Sequence, residues 1–142
     1  MLQRLQRGHP IDELSPVVSA VEVLACQEAI REVFVDEKVR HYLLAIVQKT
    51  REHDDVHLGG SPRGSIALFR TAQALAAVSG RDYVLPDDVK RMVVPVLGHR
   101  LILRPESRLR KVTAATVLND ILPDVPVPVL ARQAAEAEDY FQ

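Results

Sequence analysis

The sequence predicts a mainly α-helical fold, a small helical bundle with at most a minor sheet of short strands. Residues 39–50 carry the clearest helical period in the chain, because apolar side chains recur at i, i+3, i+4, i+7, i+8 and i+11. Residues 66–78 are apolar nearly all round, which indicates a helix with neighbours on several sides. The β-prone segments 33–35, 83–85 and 101–103 are short, so any sheet that they form is small.

The first two predicted helices begin at recognisable caps. Ser19 and Glu22 form a capping-box pattern ahead of a helix over about residues 20–31. Asp36 can cap the second helix, whose periodic positions are expected to form its buried face: Val39, Tyr42, Leu43, Ile46, Val47 and Thr50. The first helix is expected to bury a face that carries Val23, Cys26, Ile30 and Val33. Cys26 is therefore interpreted as a small core residue, since a catalytic thiol needs accessible, electropositive surroundings.

The fourth and fifth predicted helices follow later in the chain. Pro86 begins the fourth. Two aspartates follow in its first turn, where carboxylates interact favourably with the positive end of the helix dipole. Pro95 is expected to kink or end this helix, because proline lacks an N–H group and clashes with the preceding turn. Thr113 can cap the fifth helix. Residues 125–129 alternate valine and proline, so the chain is expected to be extended after the bundle.

Charge, hydropathy and cysteine usage exclude several classes of protein. The 142 residues include 18 Lys+Arg and 19 Asp+Glu, and this balance argues against a dedicated nucleic-acid binder or a polybasic membrane module. No apolar run approaches the ~20 residues that span a bilayer, and the first residues lack the apolar stretch of a signal peptide. The single cysteine excludes an internal disulfide. We therefore expect a cytoplasmic protein with no nucleic-acid and no membrane partner.

The segment 59–65, Gly-Gly-Ser-Pro-Arg-Gly-Ser, carries the most informative chemistry. Ser61 is a good N-cap and Pro62 a good first residue for the third helix, which is expected to end at Gly80. The N–H groups at such a helix start suit an anion such as phosphate, although the segment lacks the lysine of a P-loop. Arg63 places a cation against the helix dipole, at a cost of ~0.3–1 kcal/mol. Two interpretations stay open: a solvated arginine that turns away from the helix end, or an arginine kept there for function.

Two further groups of polar residues carry weaker signals. His53, Asp54, Asp55 and His57 could ligate a metal ion, but their spacing is unspecific and favours a solvated polar loop, so no metal is expected. The basic run over 100–111 lacks the interleaved aromatic residues of a nucleic-acid site, which favours a charged surface or a subunit-contact face. No serine lies in a nucleophile motif, so the sequence shows no hydrolase constellation.

Three segments together strongly resemble the C-terminal lid of MoxR-type AAA+ ATPases. They are Gly60–Ala77 with its Ser-Pro-Arg start and Ala-rich helix, the turn Gly80–Lys90 with Tyr-Val-Leu-Pro-Asp-Asp-Val, and Val96–Leu103. The resemblance covers most of residues 16–128. It implies a helical lid domain over residues 11–130, with a remnant of the preceding nucleotide-binding domain at 1–10 and a polar tail at 131–142.

The resemblance also implies roles for the residues of Ser-Pro-Arg. In the family this arginine is the sensor 2 residue, so Arg63 would reach the γ-phosphate of ATP on the neighbouring nucleotide-binding domain, and Ser61 and Pro62 would position the helix. The chain would be a lid module that contributes to ATP binding, ATP hydrolysis and conformational coupling in a chaperone-like assembly machine. ATP and Mg²⁺ would be cofactors of the parent ATPase. The implied partners are the nucleotide-binding domain of the same parent chain, the neighbouring subunits of an oligomeric, often hexameric, ring, and an unidentified client protein.

Two features separate this chain from a complete ATPase. It has no Walker A lysine and no Walker B acidic pair, so the chain alone is expected to hydrolyse no ATP and to hold no cofactor.

Gly60 and Gly64 stand where alanine is common in the family, which predicts a looser loop around Ser-Pro-Arg. The alternative to the lid interpretation is a stand-alone helical adaptor domain that binds other proteins without nucleotide chemistry.

Overall fold

A computed structural model describes residue 11 and residues 14–130, and this part of the chain forms six α-helices and one two-stranded sheet. The strands pair antiparallel, with Val56 opposite Leu103. This architecture confirms the predicted fold class. The predicted remnant at 1–10 and tail at 131–142 lie outside the described residues. In chain order the elements are α1 (Ala20–Arg31), α2 (Glu37–Glu52), β1 (Val56–Leu58), α3 (Pro62–Val78), α4 (Pro86–Leu97), β2 (Ile102–Leu103), α5 (Pro105–Leu109) and α6 (Ala114–Ile121).

An aliphatic core lies between α2, α3, α4 and α6. Each of these helices contributes a fully buried side chain: Ile46, Leu68, Leu97 and Leu118. Burial of one such side chain stabilises the fold by about 1.5–3 kcal/mol. The buried face predicted for α2 is confirmed at all of its six positions. The core therefore fixes α2 and α3 side by side, and the connection between them ends at Ser-Pro-Arg, where α3 begins.

α1 has the predicted start but not the predicted burial. The capping box is formed, because Glu22 N donates to Ser19 Oγ at 3.2 Å and Ser19 N donates to Glu22 Oε2 at 2.6 Å. None of the residues of α1 is buried, and Cys26 is exposed, so its assignment to the core is wrong. Of the predicted face only Val33, just beyond the helix, is buried. The buried Gln73 of α3 holds the chain just beyond α1 by donating to the carbonyl oxygen of Val33 at 2.8 Å. Contact with α3 covers too little of α1 to bury its apolar face.

Pro95 does not end α4, contrary to one of the two outcomes expected for it. The helix continues to Leu97, two residues beyond the proline, and the N–H of Gly98 donates to the carbonyl oxygen of Val94. Proline removes one hydrogen bond, and the carbonyl that loses its partner belongs to Arg91, an exposed residue. Water can satisfy that carbonyl, so the helix tolerates the proline at this position.

The β-prone segments form less regular structure than their composition predicts. Only one of them supplies a strand, β2, while 33–35 and 83–85 meet in a single bridge between Phe34 and Tyr83. The partner strand, β1, lies in and just after a segment whose polar composition predicts no strand. The five-residue helix α5 is also missed by the sequence pattern. β1 forms because its backbone pairs with β2, which is distant in sequence, and α5 is held in place by the distant hydrogen bond from Ser107 Oγ to Asp55 Oδ1.

A buried ion pair fixes the start of α4. The side chain of Asp88 is 4% exposed and accepts two hydrogen bonds of 2.7 Å from the Arg81 guanidinium. The same carboxylate accepts the backbone N–H of Leu85 at 2.8 Å. Leu85 has no polar side chain to cap the helix. The carboxylate of Asp88, in the first turn of α4, instead accepts a backbone N–H group at this end of the helix. The hydrogen bond with Asp88 raises the pKa of Arg81 above its usual value.

Asp55 joins the end of α2 to α5. Its Oδ1 accepts a hydrogen bond of 2.6 Å from Ser107 Oγ and forms an ion pair with Arg110. Its backbone oxygen accepts a hydrogen bond of 2.9 Å from Arg104 N. The hydrogen bond from Ser107, reinforced by the charge of Arg110, lowers the pKa of the Asp55 carboxyl. Part of the basic run therefore has a structural role.

The Asp55 contacts predict a dependence of stability on pH. Since the pKa of Asp55 is lower in the folded chain than in the unfolded chain, its contribution is complete above the unfolded pKa and is lost as the pH falls through the folded pKa. Below about pH 4, the free energy of unfolding should therefore fall more steeply for the wild type than for Asp55→Asn. Urea unfolding over a series of pH values measures this, with Asp54→Asn as the exposed control. Equal slopes for the wild type and Asp55→Asn would contradict the assignment.

Candidate functional site

The start of α3 has the geometry that its sequence predicts. Ser61 is the N-cap, and its backbone and side-chain oxygens accept the N–H of Gly64 at 2.8 and 3.4 Å. Pro62 is the first helical residue, so its missing N–H costs no helical hydrogen bond. Arg63 follows in the first turn and is exposed. The helix thus presents a cation at its positive end, with no acidic residue in the first turn to balance it.

The loop before α3 is fastened to the end of α2. Gly60 N donates to Thr50 Oγ1 at 2.8 Å, and Arg51 Nε donates to the carbonyl oxygen of Gly60, also at 2.8 Å. Thr50 is fully buried and donates to Val47 O at 2.6 Å, so it is itself fixed. The loop is therefore held on both polar groups of Gly60, contrary to the looser loop expected from glycine at this position.

Close approach to α2 requires glycine at two positions of this loop. A Cβ atom on Gly59 would lie 2.8 Å from the Cα and N atoms of Arg51, and one on Gly60 would lie 2.9 Å from Val47 Cγ1. Backbone atoms of a helix cannot move away as a flexible side chain can. The two glycines thus allow the loop to lie against α2 and to hold the start of α3 in place.

Gly59→Ala is expected to lower the free energy of unfolding by about 1–3 kcal/mol, because the added methyl group overlaps the α2 backbone. The matched control is Gly98→Ala, where nothing lies within 4 Å of the new Cβ and φ is −57°. That change should be neutral or stabilising by about 0.4–1 kcal/mol. Thermal or urea unfolding distinguishes the two variants, and equal stability would contradict the close contact at Gly59.

An electropositive cleft surrounds the start of α3. It has a volume of about 710 Å³ and is lined by Arg51, His57, Arg63 and Arg100, together with residues 58–62. No carboxylate lines it. Within the part of the chain that the structure describes, Arg63 makes no hydrogen bond or ion pair, and Arg100 donates only its Nε, to Val96 O at 3.0 Å. Arginine groups beside a helix start can bind an anion with several oxygens, such as a polyphosphate.

The sequence predicts Arg63 but not the other cations of the cleft. Arg51 comes from the end of α2, His57 from β1 and Arg100 from the turn after α4, so tertiary packing brings them together. The sequence patterns associate His57 with a weak metal motif and Arg100 with the basic run. Among the described residues, no group of three metal-ligating side chains occurs. The one local sequence signal for an electropositive site here is the absence of acidic residues between positions 56 and 65.

None of the helices in residues 14–130 is both long enough and apolar enough to cross a membrane.

Comparisons with known proteins place the chain among ATPase lids. Residues 48–121 match the family model described as AAA lid domain. The uncharacterised protein YeaC of Bacillus subtilis is 40% identical over 129 residues, which are 91% of this chain and 40% of that protein. The chaperone MoxR1 of Mycobacterium tuberculosis is 32% identical over 121 residues, with 79% of this chain and 32% of MoxR1 covered.

A solved structure shows the same architecture. The crystal structure of a candidate ATPase from Cytophaga hutchinsonii superposes with a TM-score of 0.76 at 30% identity, over 81% of this chain and 38% of that chain. The chain spans less than half the length of each of these three proteins.

Proposed function

Because the chain belongs to the AAA lid domain family and carries the lid of a MoxR-type AAA+ ATPase, we propose that it is the sensor 2 module of its parent enzyme. In this role Arg63 contacts the γ-phosphate of ATP that is bound on the nucleotide-binding domain. One observation supports the proposal most strongly: Arg63 is an exposed cation without a described partner, at the start of α3, in a cleft that has further arginines and no carboxylate.

The electrostatics of the cleft fit a ligand that carries several negative charges. A cation at the positive end of a helix is unfavourable unless an anion lies between or beside the charges. A triphosphate supplies such an anion, and a guanidinium can donate two hydrogen bonds to one phosphate group. During hydrolysis the same contact stabilises the charge of the transferred phosphoryl group. Ser61 and Pro62 act by fixing the helix start, without contact to the reacting atoms.

Loss of the γ-phosphate changes how the lid is held on the nucleotide. ADP lacks the γ-phosphate that Arg63 contacts, so hydrolysis and phosphate release remove this bond between lid and nucleotide. The lid can then rotate relative to the nucleotide-binding domain, as in other hinge-type transitions. This coupling links ATP hydrolysis to a change of shape in the parent enzyme.

The remaining machinery lies outside this chain in the proposal. The parent nucleotide-binding domain supplies the phosphate-binding loop and the residues that hold Mg²⁺, and neighbouring subunits complete an oligomeric ring. A chaperone-like role follows the name of its relative MoxR1. The exposed apolar face of α1 and of the segment before it provides a contact surface for the nucleotide-binding domain. Its most exposed members are Val17, Leu14, Val21 and Ile11.

The stand-alone adaptor remains the second candidate, because the exposed apolar face of α1 could equally bind another protein. An adaptor, however, gives no reason for the carboxylate-free arginine cleft. Stable capture of one defined protein partner in the absence of ATP would favour the adaptor.

The affinities of the parent enzyme for ATP and ADP test the sensor proposal. Arg63→Ala should weaken binding of a slowly hydrolysed ATP analogue by roughly tenfold to a hundredfold, since one charge-assisted, bidentate contact is lost. Binding of ADP should change by less than about twofold, because ADP lacks the phosphate that Arg63 contacts. Calorimetric titration with each nucleotide provides both values. Equal losses for the two nucleotides would contradict recognition of the γ-phosphate.

A further inference from the structure

A second groove lies between α2 and α3 and shares no residue with the arginine cleft. Its volume is about 410 Å³. Apolar side chains from both helices form its floor: Leu43, Leu44, Ile66 and Phe69. Leu44 is 52% exposed and Ile66 is 64% exposed. Exposed apolar side chains gathered along a groove are typical of a docking surface.

The rim of this groove is positively charged. Arg40 lies on α2 and Arg70 on α3, and no acidic residue lines the groove. Arg70 lies over the Phe69 ring at 5.5 Å and donates to Gln73 Oε1 at 2.9 Å, and it pairs with no carboxylate among the described residues. Arg40 makes no ion pair among the residues that the structure describes. The groove is therefore complementary to a segment that has apolar and acidic side chains close together.

The chain itself contains such a segment after its last described residue. Residues 136–141 read Glu-Ala-Glu-Asp-Tyr-Phe, three carboxylates followed by two aromatic rings. The described chain ends beside the first turn of α2, because Leu130 is buried and Val129 O accepts a hydrogen bond of 3.1 Å from Lys38 Nζ. Arg40 lies two residues further along that helix and about 200° around its axis, so the chain must pass around the start of α2 to reach the groove.

The length of the connection is sufficient. An extended chain advances about 3.3 Å per residue, so positions 136–141 can lie up to roughly 20–36 Å from Leu130. A helix with its side chains is about 10–12 Å wide, and a chain of this length can pass around the start of α2.

We propose that residues 136–141 dock in the groove between α2 and α3 of the same chain, with their carboxylates at Arg40 and Arg70 and an aromatic ring on the apolar floor. The exposed face of α1 is a poorer site for this segment. α1 and its C-terminal cap carry Glu22, Glu28 and Glu32 against one basic residue, Arg31, so their net negative charge would repel the three carboxylates.

Paramagnetic broadening in the 142-residue chain tests this docking. A nitroxide is attached at position 142 through Gln142→Cys in a Cys26→Ser background, and amide signals are recorded with and without reduction of the label. We expect the strongest broadening at Leu44, Ile66 and Phe69. Replacing Glu136, Glu138 and Asp139 by lysine should lower the relaxation enhancement at these amides by roughly fivefold, since exposed ion pairs contribute modestly and the apolar contact remains.

Charge reversal on both partners provides the control. Arg40→Glu with Arg70→Glu should lower the enhancement as the tail reversal does, and the combination of both reversals should restore it. Arg91→Glu, an exposed arginine on α4, should leave it unchanged. The tail reversal does not alter the described bundle, so it remains interpretable if the groove variant fails to fold.

Three outcomes would overturn the proposal. One is enhancement at the groove that is unaffected by tail reversal, and another is enhancement concentrated on α1. The third is enhancement of the same size when isotope-labelled chain without nitroxide is mixed with nitroxide-labelled chain, because that result would assign the groove to a second copy.

Discussion

Replacing Arg63 by alanine in the parent ATPase is expected to lower the rate of ATP hydrolysis at saturating ATP by roughly a hundredfold to a thousandfold. This is the range for loss of one preorganised donor to developing negative charge. Alanine removes the guanidinium but keeps the helix start, because Ser61 and Pro62 supply the N-cap and the first helical residue. The measurement is steady-state phosphate release, with ATP raised until the rate no longer increases.

Two further variants separate a chemical role of Arg63 from a structural one. Arg63→Lys keeps the charge but loses the two-pronged donor geometry, so its rate should lie between those of the wild type and the alanine variant. Arg91→Ala removes an exposed arginine of α4 that lies outside the cleft, and its rate should equal that of the wild type. Unchanged turnover in Arg63→Ala would remove the sensor role.

Asp88→Ala is expected to lower the free energy of unfolding of the chain by about 3 kcal/mol, the largest stability effect that we predict for a single side chain. The substitution removes both hydrogen bonds to Arg81 and the bond from Leu85 N. The guanidinium of Arg81, whose side chain is only 22% exposed, is then left without its carboxylate. Urea unfolding followed by far-UV circular dichroism measures the change.

The adjacent aspartate is the matched control. The side chain of Asp87 is 78% exposed and pairs with Lys90 at 3.2 Å on the surface of α4. Exposed pairs of this kind contribute little, so Asp87→Ala should change the free energy of unfolding by less than about 0.5 kcal/mol. Similar losses for the two alanine variants would show that the buried pair does not fix the start of α4.

Local sequence signals predict the helices where short-range physics decides the structure. The 3.6-residue period of α2 identifies all of its buried positions, and the caps Ser19, Asp36, Ser61 and Thr113 each mark a real helix start. These signals act within one turn or along one face of a single helix. They require no knowledge of which other elements lie nearby.

The same signals fail where distant packing decides. α1 has a periodic apolar face, but whether that face is buried depends on which elements pack against it. The prediction of a buried Cys26 is therefore wrong. β1 forms because its backbone meets β2, which is more than 40 residues away in sequence. The arginine cleft is similar: the sequence identifies Arg63 through its unfavourable place in the helix, while Arg51 and Arg100 join it only through the fold.

The most direct test of the account is the structure of the parent ATPase bound to a slowly hydrolysed ATP analogue and Mg²⁺. The measured quantity is the distance from the terminal guanidinium nitrogens of Arg63 to the oxygens of the γ-phosphate. We predict about 2.7–2.9 Å, the length of a charge-assisted hydrogen bond. A closed, nucleotide-bound enzyme in which the Arg63 guanidinium contacts no phosphate oxygen would contradict the proposed function.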